Sequence, residues 1–242
     1  AYGHGAVEVA KSLIEAGCQR FAVATPDEAV VLREAGINDP ILVLGPSPYD
    51  AASAYVKHDI SAALTDLVFA QMMSREAVNQ GKTALLHLKI DTGMGRIGFL
   101  PEQIPGIIDD ILKLPGIKLE GLFTHFATAD EKRLDYTNQQ FARYMKVYHF
   151  LESKGVRVPL RHVCNIAAVL NSPEKHLDAV RPGIILYGMY PSSECIRPIE
   201  LKPTFEVKTA IAAVKEISSN SGVGYGLRYM SRGTERIAVL PI

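Results

Sequence analysis

The stretch "FAVATPDEAVVLREAGINDPILVLG" (21–45) sets the fold class. Its ends, "FAVAT" (21–25) and "ILVLG" (41–45), are apolar runs of strand length, and between them apolar residues recur at helical spacing. Thr25-Pro26-Asp27 has the form of a helix start, with proline in the first turn and an acid beside the positive dipole end. Gly36 stands where a helix ends in the left-handed conformation. Strand, helix and strand in this order predict parallel pairing across a helical crossover. The unit recurs in both directions. Further strands are expected at "AALTD" (62–66), "ALLHLKI" (84–90), "KLEGLFTHF" (118–126) and "IILYGM" (184–189). Helices are expected in "AVEVAKSLIEAG" (6–17) and "DLVFAQMMSREAVNQG" (66–81), and Leu100-Pro101-Glu102 opens another. Alternation over roughly 190 residues, with strands apolar on both faces, predicts a parallel α/β sheet covered by helices. Strand number and length favour a closed (β/α)8 TIM-type barrel over an open doubly wound sheet.

Beyond about residue 200 the texture changes. "LKPTFEVKTAIAAVKEIS" and "GVGYGLRYMSRGTERIAVLPI" carry β-branched runs and Gly-rich turns without helical period, which predicts antiparallel strands. A boundary near Leu201 divides the chain into an α/β barrel, 1–201, and the opening of a mostly-β domain, 202–242. The 242 residues suffice to bury a core without a disulfide or metal staple. Equal numbers of basic and acidic side chains, 26 each, argue against a basic nucleic-acid-binding surface. No apolar run reaches the ~18 residues of a membrane helix and no signal-peptide pattern is present. Cys18, Cys164 and Cys195 are scattered and form no CxxC pair, which fits reduced thiols in the cytoplasm and no metal site. The chain opens on Ala1 without an initiator Met and stops in the apolar run "IAVLPI", so both ends are expected to be cut.

Several short segments could carry chemistry. "KIDTGMGRIG" (89–98) brings Lys89, Asp91 and Arg96 to a strand's end, where the loops of a barrel build active sites. Read alone it is equally a tight glycine loop with a solvated ion pair. Its Gly93-x-Gly95-x-x-Gly98 is not a dinucleotide fingerprint, because the next helix waits for Pro101. "AYGHG" (1–5) places Tyr2 before a helix, either as an anion ligand or as a capping aromatic. His125 ends a strand, His162 and Asn165 precede an apolar stretch, and Arg181 stands before Pro182 and Gly183; each also fits an ordinary structural role. Tyr225 lies between glycines in "VGYGLRY". His58, His149 and His176 have no metal spacing and read as surface residues.

Together, "AYGHG", "HLKIDTGMGRIGF", "THFATADE", "CNIAAVL", "VRPGIILYGMYPS" and "VGYGLRY" resemble the alanine racemase family of fold type III pyridoxal-phosphate enzymes over essentially the whole chain. The resemblance implies pyridoxal 5'-phosphate as cofactor, alanine as substrate, D-alanine supply for peptidoglycan, and a cytoplasmic homodimer whose subunits share their sites. Tyr2 would bind the cofactor phosphate with backbone N–H groups of Gly183, Ile184 and Ile166, the residue after Asn165. Many members have Ser where Ile166 stands, so its hydroxyl contact is unavailable here. His125 would pack on the pyridine ring, and Arg181, oriented by His162, would donate to the ring nitrogen. A guanidinium cannot readily give that nitrogen a proton, which favours racemisation over transamination.

Two bases are implied. The Schiff-base lysine lies four residues before the family's Tyr and would therefore precede Ala1. The other base is Tyr225, serving the partner subunit, with Arg96 beside it to stabilise phenolate and meet the substrate carboxylate. Lys89 matches a lysine that is often carbamylated, an anion able to hold Arg96. Alternatives are a serine or broad-specificity racemase, a fold type III decarboxylase with an acid in place of Arg181, or a non-catalytic pyridoxal-phosphate-binding barrel.

Overall fold

The computed structural model describes residues 1–242 and divides into two compact units, Ala1–Lys202 and Pro203–Ile242. The first unit is a six-stranded parallel sheet in sequential order, β1 (Phe21–Val23), β2 (Ile41–Val43), β3 (Ser61–Leu64), β4 (Ala84–Lys89), β5 (Ile117–Phe123) and β6 (Leu160–His162). Helices fill the connections: α1 (Ala6–Glu15), α2 (Pro26–Glu34), α3 (Ala52–Lys57), α4 (Leu67–Gln80), α5 (Ile104–Leu112), α6 (Asp135–Ser153) and α7 (Ile166–Asn171). α6 is built over "DYTNQQFARYMKVYHFLES" and buries Thr137, Gln140, Tyr144, Val147 and Leu151. No helix is long and apolar enough to cross a membrane.

Local chemistry fixes the ends of these elements. Thr25 caps α2 in a reciprocal box: its Oγ1 accepts the Glu28 N–H at 3.4 Å, and Glu28 Oε2 accepts the Thr25 N–H at 3.3 Å. Asp66 caps α4 by accepting the Phe69 N–H at 2.8 Å, and Gly81 ends that helix at φ 63°, which a side chain resists. Arg33 of α2 donates to the carbonyls of His58 (2.9 Å), Ile37 (2.6 Å), Asp39 (2.7 Å) and Asp59 (3.0 Å), tying two helix-to-strand turns together.

The two faces of the sheet carry different chemistry. Leu86, Leu88 and Leu122 belong to the apolar core packed with the helices. His87 and Lys89 alternate with those leucines along β4, and Phe123 follows Leu122, so the other face carries polar and aromatic groups, all buried.

Two expectations need correction. "IILYGM" (184–189) is not a strand: Gly183–Tyr187 forms a 3-10 turn, entered through Pro182 and Gly183 at φ 52° and left through Gly188 at φ 82°. Glycines at positive φ on both sides curl this apolar run, which packs without pairing. The sixth strand is instead the three-residue "LRH" of β6, too short and polar to stand out.

In the second unit β7 (Ala213–Ile217) pairs antiparallel with β10 (Glu235–Val239), and β8 (Gly222–Val223) with β9 (Tyr229–Met230).

Candidate active site

A cavity of about 500 Å³ lies in the first unit, walled by Tyr2, His125, His162, Asn165, Ile166, Arg181, Gly183 and Ile184 among others. These eight are the residues that the sequence offered for cofactor binding. Loops after strands contribute much of the wall: His125 follows β5, and Asn165 follows β6. Asn165 caps α7, its Oδ1 accepting the Ala168 N–H at 3.1 Å while its Nδ2 donates to the Phe126 carbonyl at 3.1 Å. Its side chain is thereby committed, and the early N–H groups of α7 and of the Gly183–Tyr187 turn lack intrahelical acceptors. Tyr2, itself at φ 49°, packs edge-on against Tyr187 with ring centroids 5.3 Å apart. A Cβ at position 183 would stand 3.4 Å from the Tyr2 hydroxyl, so glycine keeps the space beside that hydroxyl open.

Arg181 is the most constrained group on the wall. Nη1 donates to His162 Nδ1 at 2.6 Å and to the His162 carbonyl at 2.9 Å; Nη2 donates to the carbonyls of Thr124 (2.8 Å) and Val163 (3.1 Å). These four bonds leave Nε–H as the fifth donor. Burial draws its pKa down to about 10, so it remains a cation near neutrality. Behind it His162 Nε2 lies 2.9 Å from His87 Nδ1, and His87 Nε2 lies 3.3 Å from Glu120 Oε2. Burial holds both imidazoles below the ordinary histidine range. The His87 contact, outweighing burial and aided by Ser61, takes the Glu120 carboxyl down to about 2.

Phe123 lies behind the cavity wall, against His162. It stacks on His162 at 4.8 Å with a 10° interplanar angle, and its ring lies 5.4 Å from Lys89 Nζ and 5.7 Å from the Arg181 guanidinium carbon. Lys89 is buried, donates to the Ile90 carbonyl at 3.1 Å, and has its pKa lowered to about 8, mainly by burial, then by Arg181 and Arg96 against the opposing pull of Asp91. Gly98 admits this side chain, since a Cβ there would stand 2.7 Å from Lys89 Cγ. His125 is pushed to about 3 by burial and by Arg181, Arg96 and Lys89, so it is neutral.

Arg96 itself is exposed on the loop after β4. Asp91 shapes that loop by accepting the N–H groups of Gly93, Gly95 and Arg96, each at 3.0 Å. α6 straps it from outside: the Tyr136 hydroxyl donates to the Gly93 carbonyl and Arg143 Nη1 to the Thr92 carbonyl, both at 2.8 Å. Lys89 and Arg96 do not wall the cavity; their nearness to it is electrostatic. Tyr225 belongs to the second unit, where it opens the turn Tyr225–Leu227 between Gly224 and Gly226, both at positive φ, with its side chain fully exposed.

Sequence reasoning missed His87, Glu120 and Phe123. For His87 a signal existed: it stands two residues before Lys89 in a strand, hence on the same face. No group of three or more His, Cys, Asp or Glu side chains is arranged to hold a metal ion.

The family described as "Alanine racemase, N-terminal domain" matches residues 1–191. The chain is 43% identical over 243 residues to alanine racemase 2 of Caldanaerobacter subterraneus subsp. tengcongensis, covering 100% of this chain and 63% of that protein. Among solved structures, alanine racemase of Clostridium difficile 630 superposes with a TM-score of 0.88 at 43% identity, covering 100% of this chain and 64% of that one. A histidine racemase from Leuconostoc mesenteroides superposes with a TM-score of 0.84 at 31% identity, covering 100% of this chain and 65% of that one. The chain thus spans just under two thirds of the length of these relatives.

Proposed function

We propose, from the premise that this chain belongs to the alanine racemase N-terminal domain family, that the full-length protein is a pyridoxal-phosphate-dependent racemase interconverting L- and D-alanine by two bases. The observation that carries the reading is Arg181, whose four Nη donors are spent on protein acceptors while Nε–H remains at a cavity wall shared with Tyr2 and Gly183. That set suits an aromatic ring nitrogen at one end and a phosphate at the other.

When bound, pyridoxal phosphate would supply an electron-withdrawing ring that acidifies the α C–H bond of an attached amino acid. The chain's own groups position it. The Tyr2 hydroxyl and the N–H groups of Ile166, Gly183 and Ile184 would hold the phosphate, neutral His125 would pack against the ring, and Arg181 would donate to the ring nitrogen. Because a guanidinium does not readily release its proton, it orients the ring while leaving that nitrogen unprotonated. His162 holds Arg181 in place. Tyr225, reaching the partner subunit's site in a homodimer, takes or returns the α-proton on one face. Arg96 stabilises its phenolate and binds the substrate carboxylate. The opposite face needs a second base, which the family resemblance assigns to a lysine preceding Ala1. The same assembly would complete the six-stranded sheet to an eight-stranded barrel and extend the β unit, in a cytoplasmic enzyme supplying D-alanine for peptidoglycan.

Arg181 at the ring nitrogen, where the resemblance puts an acid in decarboxylases, disfavours decarboxylation. The histidine racemase at a TM-score of 0.84 keeps substrate preference open, serine included. The test is circular-dichroism assay of the full-length, cofactor-loaded protein with alanine, serine and histidine of each hand. Racemisation fastest with alanine is expected. Absence of racemisation with all three would overturn the reading.

A further inference from the structure

Arg181 is a half-buried cation with no carboxylate within ion-pair distance: its partners are three carbonyls and an imidazole nitrogen. Burying a charge unpaired is costly. The path from its Nη1 runs through His162 and His87 to Glu120, at 2.6, 2.9 and 3.3 Å. The two ends agree on its polarity. A guanidinium only donates, so His162 Nδ1 accepts and the ring proton sits on Nε2. That proton is donated to His87 Nδ1, which puts the His87 proton on Nε2, facing a carboxylate that only accepts. Reversing either ring would oppose two donors or two acceptors in a buried chain.

The backbone is built around this chain. Pairing of β4 with β5 runs Leu86 to Leu119 and then His87 to Gly121, so Glu120 is the extra residue of a bulge, a device that re-aims a side chain. Next to it Gly121 makes room for the imidazole: a Cβ there would stand 2.6 Å from His87 Cγ. Ser61 Oγ donates to Glu120 Oε2 at 2.9 Å, and Arg20 Nη1 lies 3.6 Å from Oε1, fixing the far end.

We propose that Glu120 is a positioning residue for Arg181: acting through His87 and His162, its carboxylate anchors the far end of the hydrogen-bond chain that holds the guanidinium. The catalytic consequence rests on the reading of Arg181 as donor to the ring nitrogen; the chain itself does not.

The test has two arms on the full-length protein. In the cofactor-free protein, nitrogen-15 NMR of the histidine rings is expected to show both His87 and His162 protonated on Nε2. Glu120→Gln keeps an acceptor and should leave the His87 Nε2–H hydrogen-bonded, whereas Glu120→Leu removes that acceptor and should shift the Nε2–H resonance and speed its exchange with solvent. In the loaded enzyme, Glu120→Leu should lower kcat about 10- to 100-fold, the range seen for outer partners that orient a ligand, with KM for alanine little changed, and Glu120→Gln should fall between it and the wild type. Wild-type rings protonated on Nδ1 would overturn the chain, whatever the activity. Unchanged kcat in Glu120→Leu would overturn the positioning role while leaving the proposed function standing.

Discussion

Replacing Gly121 with alanine adds one methyl group, and the structure says where it goes: into the imidazole of His87, 2.6 Å from Cγ, with the remaining near atoms all on the same ring. Normal contact needs more than 3.4 Å, so ring or strand must move. The ring is buried and wedged between Phe123, at 6.4 Å between centroids, and His162, at 5.1 Å, which leaves it little room. Inserting a methyl into a filled interior costs roughly 1–3 kcal/mol. Displacing the ring also breaks its 2.9 Å bond to His162, and a buried polar group left unpaired costs roughly 1–3 kcal/mol more. Gly121→Ala should therefore lose about 2–6 kcal/mol, a large share of a typical total of about 5–15 kcal/mol. Gly106→Ala is the control, because no atom lies within 4 Å of its Cβ position in α5; it should be neutral or stabilising by up to about 1 kcal/mol. Urea denaturation of both full-length variants measures the difference. A Gly121→Ala midpoint matching the wild type, with the same slope, would refute the claim that glycine is there to admit His87.

Lys89, with its pKa lowered to about 8, should react as the neutral amine with carbon dioxide, forming an N–C bond and releasing one proton. Carbon-13 NMR with labelled hydrogencarbonate should then show a carbamate that grows as pH rises through about 8, and a bare ammonium across that range would exclude it. Tyr225→Phe should abolish α-proton exchange with deuterium oxide on one face only; wild-type racemisation in both directions would remove Tyr225 from the mechanism. Arg33→Met removes four bonds to carbonyls and should destabilise by at least about 1.5–3 kcal/mol, the contribution of one hydrogen bond to a charged group, and an unchanged denaturation midpoint would contradict that role.

What was legible in the sequence was local. The helix start at Thr25-Pro26-Asp27 and the glycine that ends α4 are written in adjacent residues, and the structure forms both, adding a capping box between Thr25 and Glu28. The candidate set was also legible, in that Tyr2, His125, Asn165, Arg181 and Gly183 lie on one cavity wall. Illegible were features that depend on a neighbouring strand. Glu120 looks like the polar residue of an alternating strand until the register against β4 skips it. "IILYG" has strand composition, but a strand also requires a partner edge, and glycine conformations on both sides turn the run into a 3-10 helix. β6 is the converse: "LRH" has weak strand character, yet it pairs with Gly121, Leu122 and Phe123 and so delivers His162 to the interior.

The chain's zero net charge conceals the field at this site. Lys89 and Arg181 lie over the Phe123 ring and, with Arg96, act together on His125, whose pKa falls to about 3 chiefly through burial and then through these three cations. The nearby acids are committed elsewhere: Asp91 to three backbone N–H groups, Glu120 to His87 and Ser61. Neutral histidines cannot offset the excess, so the interior is arranged for anions supplied from outside the side-chain set. A phosphate near Tyr2, a carboxylate near Arg96 and a carbamate on Lys89 would each supply one negative charge or more. Each anion bound offsets part of this positive field, and because like charges repel, filling one position should weaken the binding of the next. A charge count over the whole sequence excludes a broad basic surface but is blind to this local excess, because acidic side chains elsewhere on the surface cancel it in the sum.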